Sequence, residues 1–160
     1  MPWSDPIGAA LRDAQQAELD IRYADSGASE PGIKPAGDNI ALFLIAYPVP
    51  IIDSTSSAET INSESTPVAC GSLRDLGEGY MEIKRMYAVQ SVRGTGAAVS
   101  VLLSLETYAR AIGMRALRLE TGNRQQEAMK FYERHGYVSI PKFGHYKDVP
   151  WSHCYEKVLS

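Results

Sequence analysis

Cysteine is nearly missing from this chain. Cys70 and Cys154 are the only two in 160 residues, too few for a disulfide framework or the cysteine-rich cage of a structural zinc site. No apolar run approaches the ~18 residues that cross a bilayer, and the N-terminus does not read as a secretory leader. The expectation is therefore an intracellular, cytoplasmic protein without a membrane partner. Excess positive charge is missing as well. Sixteen Lys and Arg against nineteen Asp and Glu leave a net charge of −3, which argues against a nucleic-acid surface. His135, His145 and His153 are the only histidines; with Cys154 they repeat no ligand spacing of a known zinc site, so no metal is expected. What is present is ordinary for a soluble globular protein: 44% hydrophobic and 22% charged residues, enough for a single domain over residues 1–160 with its own core.

Periodicity orders the elements. Residues 5–23 read as an amphipathic helix with Pro6 in its first turn and Ile7, Leu11, Ala14, Leu19 and Ile21 inward. Residues 40–47 are almost wholly apolar and stop at Pro48, as a central strand would. Residues 50–67 are rich in Ser and Thr without a periodic apolar face, and read as a mobile loop insertion. Strands follow at 68–75 and 81–89, the second with an alternation that slips near Arg85 and Met86, as across a bulge. Consecutive strands here should pair antiparallel. Ala98, Leu102, Leu105, Ala109 and Ile112 mark one face of a long helix, and Gly113 is placed to stop it. A strand at 116–121 precedes a shorter helix, with Asn123 as its N-cap, Gln126 at the capping-box position, and His135 and Gly136 at its end. Short strands at 137–140 and 151–159 flank a loop holding Phe143 and Tyr146. The class is mixed α/β, with a mostly antiparallel sheet and flanking helices.

The turn into the long helix carries the first functional signal. It runs Arg93, Gly94, Thr95, Gly96, Ala97, Ala98. Small residues let backbone close around a ligand, and the free N–H groups of a helix's first turn favour an anion there. Arg93 adds positive charge, so phosphate is the expected ligand; a plain strand-to-helix turn is the competing reading. The dinucleotide fingerprint fits poorly, because the sixth position from Gly94 is Val99 and four residues separate Val89 from Gly94, although Glu120 ends the next strand where a ribose-binding acid could sit. A P-loop fits worse, since no Gly-Lys-Ser/Thr follows.

Two motifs, about thirty residues apart with a strand between them, carry a resemblance. Arg93-x-x-Gly96-x-Ala98 resembles the Arg/Gln-x-x-Gly-x-Gly/Ala signature of the GNAT superfamily of acetyl-CoA-dependent N-acetyltransferases. Gln125-x-x-Ala128-x-x-Phe131-Tyr132-Glu133-x-x-Gly136-Tyr137 is similar to that family's Asn-x-x-Ala-x-x-Leu-Tyr-x-x-x-Gly-Phe, with Gln in place of Asn. The similarity covers residues 43–159. Two features depart from the pattern: residues 1–4 are too short for the strand that usually precedes the first helix, and residues 50–67 lengthen a connection that is normally tight.

The resemblance implies a GNAT-like fold in which strand 81–89 splays from strand 116–121, with the pantetheine arm of acetyl-CoA in the gap. Backbone groups of Tyr87 and Val89 would bind that arm as an added strand. N–H groups of Arg93, Gly94, Thr95, Gly96, Ala97 and Ala98 would hold the pyrophosphate, Gln125 and Ala128 would belong to the cofactor-side helix, and an N–H near Met86 and Tyr87 would polarise the thioester carbonyl. The expected acceptor is a primary amine. With an alkylammonium pKa near ~10.4, only about one molecule in ~2,500 is neutral at pH 7, so a base is useful. Glu82 matches the strand position where some family members carry a catalytic glutamate; the competing reading is a solvent-facing acid paired with a nearby Lys or Arg. Tyr132 matches the family tyrosine that faces the cofactor's sulfur, and would donate a hydrogen bond or proton to the leaving thiolate. Arg22, Tyr23, Arg74 and Tyr146 are candidates to line the acceptor pocket. A non-catalytic acyl-CoA-binding module and a nicotinamide-dependent enzyme stand as alternatives, a longer acyl donor is open, and so is the oligomeric state, a homodimer being one option.

Overall fold

The computed structural model of the chain describes residues 1–25, 34–48 and 66–160. The proposed insertion at 50–67 therefore lies almost wholly outside the described residues. Helix α1 (Pro6–Tyr23) starts at Asp5, whose carboxylate accepts from the Ile7 and Gly8 N–H groups at 3.0 and 3.1 Å, with Pro6 in the first turn as expected. Strands β1 (Leu42–Ala46), β2 (Ala69–Gly77) and β3 (Tyr80–Ala88) form an antiparallel meander. Helix α2 (Ala97–Ala111) leads to β4 (Ala116–Gly122), then α3 (Gln126–Arg134), β5 (Val138–Ile140) and β6 (Ser152–Val158). Among the described residues six strands lie in the order β1-β2-β3-β4-β6-β5, and of these only β3 and β4 pair in parallel. Before α1 there is no strand; the terminal ammonium of Met1 donates to the Phe43 carbonyl at 3.1 Å.

Two apolar layers sandwich the sheet. On one face α2 and α3 pack Leu102, Leu105, Ala109 and Tyr132 against Leu73, Ile83, Leu117 and Leu119. On the other, Leu11 meets Phe43 and Cys70. That second contact is tight: a Cβ on Gly8 would stand 2.3 Å from the Phe43 ring, so only glycine lets α1 approach. Ile7 and Ile21, expected inward, are 42% and 80% exposed, because α1 presses on the sheet through its Gly8–Leu11 side only. Ile112 is likewise 45% exposed. It is the C-cap of α2, where the chain already turns away through Gly113 in the left-handed region.

Two local details matter for the site. β3 does slip: Ser72 pairs with Lys84 but Cys70 pairs with Tyr87, and Arg85 takes a positive φ of 53°. Asn123 is not the N-cap of α3. Its N–H bonds the Trp151 carbonyl at 2.8 Å, which holds it at the end of the β4–β6 ladder, and Gln125 takes the cap position without a side-chain bond.

Candidate active site

The parallel pairing of β3 with β4 lasts three residues, from Tyr80↔Ala116 to Glu82↔Arg118. Beyond it the strands part. A cavity of about 520 Å³ fills the opening, walled by Ile83, Lys84, Arg85 and Met86 of β3 and by Leu119, Glu120, Thr121 and Gly122 of β4. Gln15, Leu19 and Tyr23 of α1 close one side, and Gln125, Ala128 and Tyr132 at α3 close another. The volume is in the range of small-molecule and cofactor sites.

Polar groups in this wall await a partner. The Gln15 side chain donates to the Met86 carbonyl at 3.0 Å, while its own oxygen, buried, accepts nothing among the described residues. The buried Thr121 hydroxyl is unpaired in the same sense. Buried polar atoms rarely stay unsatisfied, so two in one cavity point to a ligand that completes them. Tyr132 is 5% exposed, packs edge-on against Phe131 and Tyr137, and its hydroxyl has no hydrogen-bond partner among the described residues. Burial pushes its pKa up, so it keeps its proton at neutral pH and acts as a donor.

The bulge decides which backbone groups of β3 face the gap. The Val89 N–H bonds Val68 at 2.9 Å, on the β2 side, and the alternation of an antiparallel ladder puts Tyr87 on that side too. Met86 and Ala88 face the gap: their carbonyls accept from Gln15 and from the Arg93 Nε, both at 3.0 Å. The backbone groups of Tyr87 and Val89, expected to hold a ligand arm, thus face β2, and those of Met86 and Ala88 face the gap.

After β3 a short 3-10 turn, Gln90–Val92, leads into the glycine turn. Gly94 and Gly96 both adopt left-handed φ, 81° and 92°, and a Cβ on either would meet open space. No side chain caps α2, whose first-turn N–H groups are free for a ligand. None of Arg93, Gly94, Thr95, Gly96, Ala97 and Ala98 lines the cavity; they lie past the end of β3. Arg93 does not offer an unopposed charge. Its guanidinium grips both oxygens of Glu18 on α1 at 2.9 and 2.8 Å.

Glu82 is the other departure. It is 0% exposed and does not reach the cavity between β3 and β4. Arg74 holds its Oε2 at 2.6 Å, and the Tyr146 hydroxyl donates to its Oε1. It lines a second cavity, of about 610 Å³, with Asp38, Arg74, Phe143, His145 and Tyr146. Of the four acceptor-pocket candidates, Tyr23 lines the first cavity, Arg74 and Tyr146 the second, and Arg22 neither. Glu120 was considered only as a ribose-binding acid, and not as part of the acetyl-CoA site. Its carboxylate lies in the first cavity's wall and accepts from Ser152 at 2.8 Å.

Residues 43–137 match the acetyltransferase (GNAT) family. The sequence is 38% identical over 95 residues to an IAA acetyltransferase of Azospirillum brasilense, covering 59% of this chain and 62% of that protein. An acetyltransferase of Agrobacterium fabrum is 27% identical over 85 residues, covering 53% and 61%. The chain thus spans about three fifths of the length of these two relatives. Its fold overlays on the whole of this chain, and 94% of the other, with a Klebsiella pneumoniae protein described as an acyl-CoA N-acyltransferase, at a TM-score of 0.76 and 26% identity. A Thermoplasma acidophilum N-acetyltransferase solved in complex with coenzyme A shares the fold over 60% of this chain and 56% of its own, at a TM-score of 0.51 and 19% identity.

Proposed function

The chain belongs to the GNAT acetyltransferase family, and we propose that it moves the acetyl group of acetyl-CoA to a primary amine by direct attack in a ternary complex. The observation that carries this reading is the parting of β3 from β4, with the buried Tyr132, whose hydroxyl keeps its proton, in the wall of the cavity between them.

The residues fit acetyl-CoA along their length. The uncapped start of α2, with its two left-handed glycines, suits the pyrophosphate. The gap-facing edge of Met86 and Ala88 suits the amide-bearing arm, and the Gln15 oxygen is an acceptor for an amide N–H. The Met86 N–H, on the same edge, would polarise the thioester carbonyl as negative charge develops there. When the tetrahedral intermediate collapses, sulfur leaves as a thiolate. Because burial raises the Tyr132 pKa further above that of a thiol, full proton transfer is uphill; Tyr132 donates a hydrogen bond to the departing sulfur instead.

Thiol release measured over a panel of amines tests the activity. Release with at least one amine is expected. Binding of acetyl-CoA without release for any amine would favour an acyl-CoA-binding module, and binding of a nicotinamide in its place would favour the oxidoreductase alternative. Tyr132→Phe should lower kcat ~10- to 10³-fold, with acetyl-CoA affinity and Tm nearly kept. Lost stability with unchanged turnover would remove Tyr132 from the mechanism.

A further inference from the structure

The bulge in β3 has a counterpart on β2. Cys70 pairs with Tyr87 and Ser72 with Lys84, so Gly71 alone stands opposite Arg85 and Met86. Glycine leaves room there, and Met86 takes it. A Cβ on Gly71 would lie 2.8 Å from the Met86 Sδ, 2.8 Å from a Val101 methyl and 3.1 Å from a Leu105 methyl. The Met86 thioether is thus lodged between β2 and α2, against the core cluster. Met86 also walls the cavity between β3 and β4. There it joins Ile83, Leu119, Ala128 and Tyr132 in one apolar stretch, all of them in or against the core under α2 and α3.

We propose that the Met86 side chain is the stop that sets the length of the donor's acyl group, and that it selects acetyl over longer chains. This rests on the transfer reading above, which puts the thioester oxygen at the Met86 N–H and the sulfur at Tyr132. The thioester carbon is trigonal. Oxygen and sulfur take two of its directions, and the amine approaches across the plane. The alkyl group takes the one direction left. A carbonyl oxygen ~2.9 Å from the Met86 nitrogen puts the thioester carbon roughly 4 Å from it, so the alkyl group falls within reach of the Met86 side chain and the apolar stretch around it. A methyl group is met by that wall. Each further methylene must push the Met86 side chain aside, and the core behind it is closed, since Val101 and Leu105 are 3% and 0% exposed. Met86 therefore has two separate tasks, its N–H at the oxygen and its side chain at the alkyl group. An unbranched thioether adapts its shape, so the stop discriminates in steps, and one methylene in an apolar pocket is worth about 10- to 200-fold. Two substitutions act on it in opposite directions. Shortening Met86 joins the cavity to the room over Gly71. A methyl on Gly71 expels the thioether toward the cavity, because its other neighbours there are buried core.

The test reads ratios between donors. Calorimetry without an acceptor gives the affinities of coenzyme A and of its acetyl, propionyl and butyryl thioesters. Single-turnover transfer from each thioester to an amine is measured beside it, with melting as the check on folding. The wild type should favour acetyl over butyryl by at least ~10-fold. Met86→Ala should raise the butyryl-to-acetyl ratio by at least ~10-fold, and Met86→Leu, of similar volume, should keep it near the wild type. Gly71→Ala should move the other way and weaken acetyl-CoA relative to coenzyme A itself. A Met86 that only fills the core would lower Tm and leave every ratio alone. Unchanged ratios in folded Met86→Ala, or a wild type indifferent to chain length, would overturn the stop and leave the transfer reading intact. If Met86→Ala does not fold, Met86→Val replaces it; if Gly71→Ala does not fold, the Met86 variants decide. Selection among the thioesters with release to no amine would uphold the stop and overturn the transfer reading. A wild type that binds none of the thioesters would overturn both.

Discussion

Two glutamates are sealed among the described residues, and they are held by the same kinds of side chain. Glu82, 0% exposed, has Tyr146, Lys84 and Arg74; Glu106, 1% exposed, has Tyr137 at 3.1 Å, Lys157 at 3.0 Å and Arg110 at 3.4 Å. Their surroundings differ. Glu106 lines neither cavity and ties α2 to β6 and to the segment after α3, whereas the Glu82 cluster bridges two open volumes. A buried, fully partnered carboxylate is therefore no sign of chemistry in itself. The distinguishing feature is access: Lys84 lines the first cavity and Glu82 the second.

The largest effect is one that both clusters share. Burial, and then the neighbouring glutamate, raise the Tyr137 and Tyr146 pKa values, and burial alone raises that of Tyr132. The unfolded chain ionises these phenols near pH ~10 while the folded chain keeps them protonated. Above that pH these three phenols alone leave the unfolded state about three protons short of the folded one, so their share of the stability present below pH ~10 is lost at roughly 4 kcal/mol per pH unit as pH rises further. Denaturant midpoints between pH 8 and 11 check this. Tyr137→Phe and Tyr146→Phe should each reduce the slope by about 1.4 kcal/mol per unit. A shallow decline would mean the phenols ionise in the folded protein and that neither cluster is tightly closed.

The next effect separates the clusters. Glu106→Gln leaves Lys157 and Arg110 without their charge partner. Removing one member of a buried pair costs ~3–5 kcal/mol, and the lower end applies because both cations reach solvent. A loss of about 3 kcal/mol should lower Tm by roughly 6–12 °C and leave single-turnover acetyl transfer and its pH profile unchanged. Glu82→Gln should show the opposite balance, with its larger effect on rate. If Glu106→Gln altered the pH profile, the distinction by cavity access would fail.

Much of this arrangement was legible in the sequence, and the failures share a cause. The glycine turn, the stop at Gly113 and the slip at Arg85 are local, set by φ preferences and alternation, and the structure contains all three. The same slip sets which backbone groups of β3 face the gap. A bulge shifts strand parity by one, which turns Met86 and Ala88 to the gap and Tyr87 and Val89 toward β2. Glu82 was expected either as a base or as a solvent-facing, ion-paired acid; its burial could not be seen because strand position says nothing of Tyr146, which donates to it from 64 residues away. Thr121 and Gln15 are missed for the same reason: an unpaired buried atom exists only once distant elements close around it.

A third carboxylate sharpens the contrast at its weak end. Glu18 also has a tyrosine and an arginine, accepting from the Tyr87 hydroxyl at 3.3 Å and from Arg93 at 2.8 Å, but it lies on the surface with the pair 36% and 37% exposed. Exposed ion pairs contribute ~0–1 kcal/mol and are screened over about 8 Å at physiological salt. Glu18→Gln should therefore cost less than ~1 kcal/mol in stability, with the difference fading in high salt. It also releases the Arg93 charge beside the glycine turn, where a phosphate would sit. Acetyl-CoA affinity should then rise by up to about threefold at low ionic strength, which is ~0.6 kcal/mol, and converge with the wild type at high salt. Titration at the two salt concentrations, with Arg93→Gln as the control, measures it. Arg93→Gln alone should show no such gain. Acetyl-CoA binding weakened tenfold by Glu18→Gln would mean that the pair builds the turn itself, and that a surface carboxylate can matter here as much as a buried one.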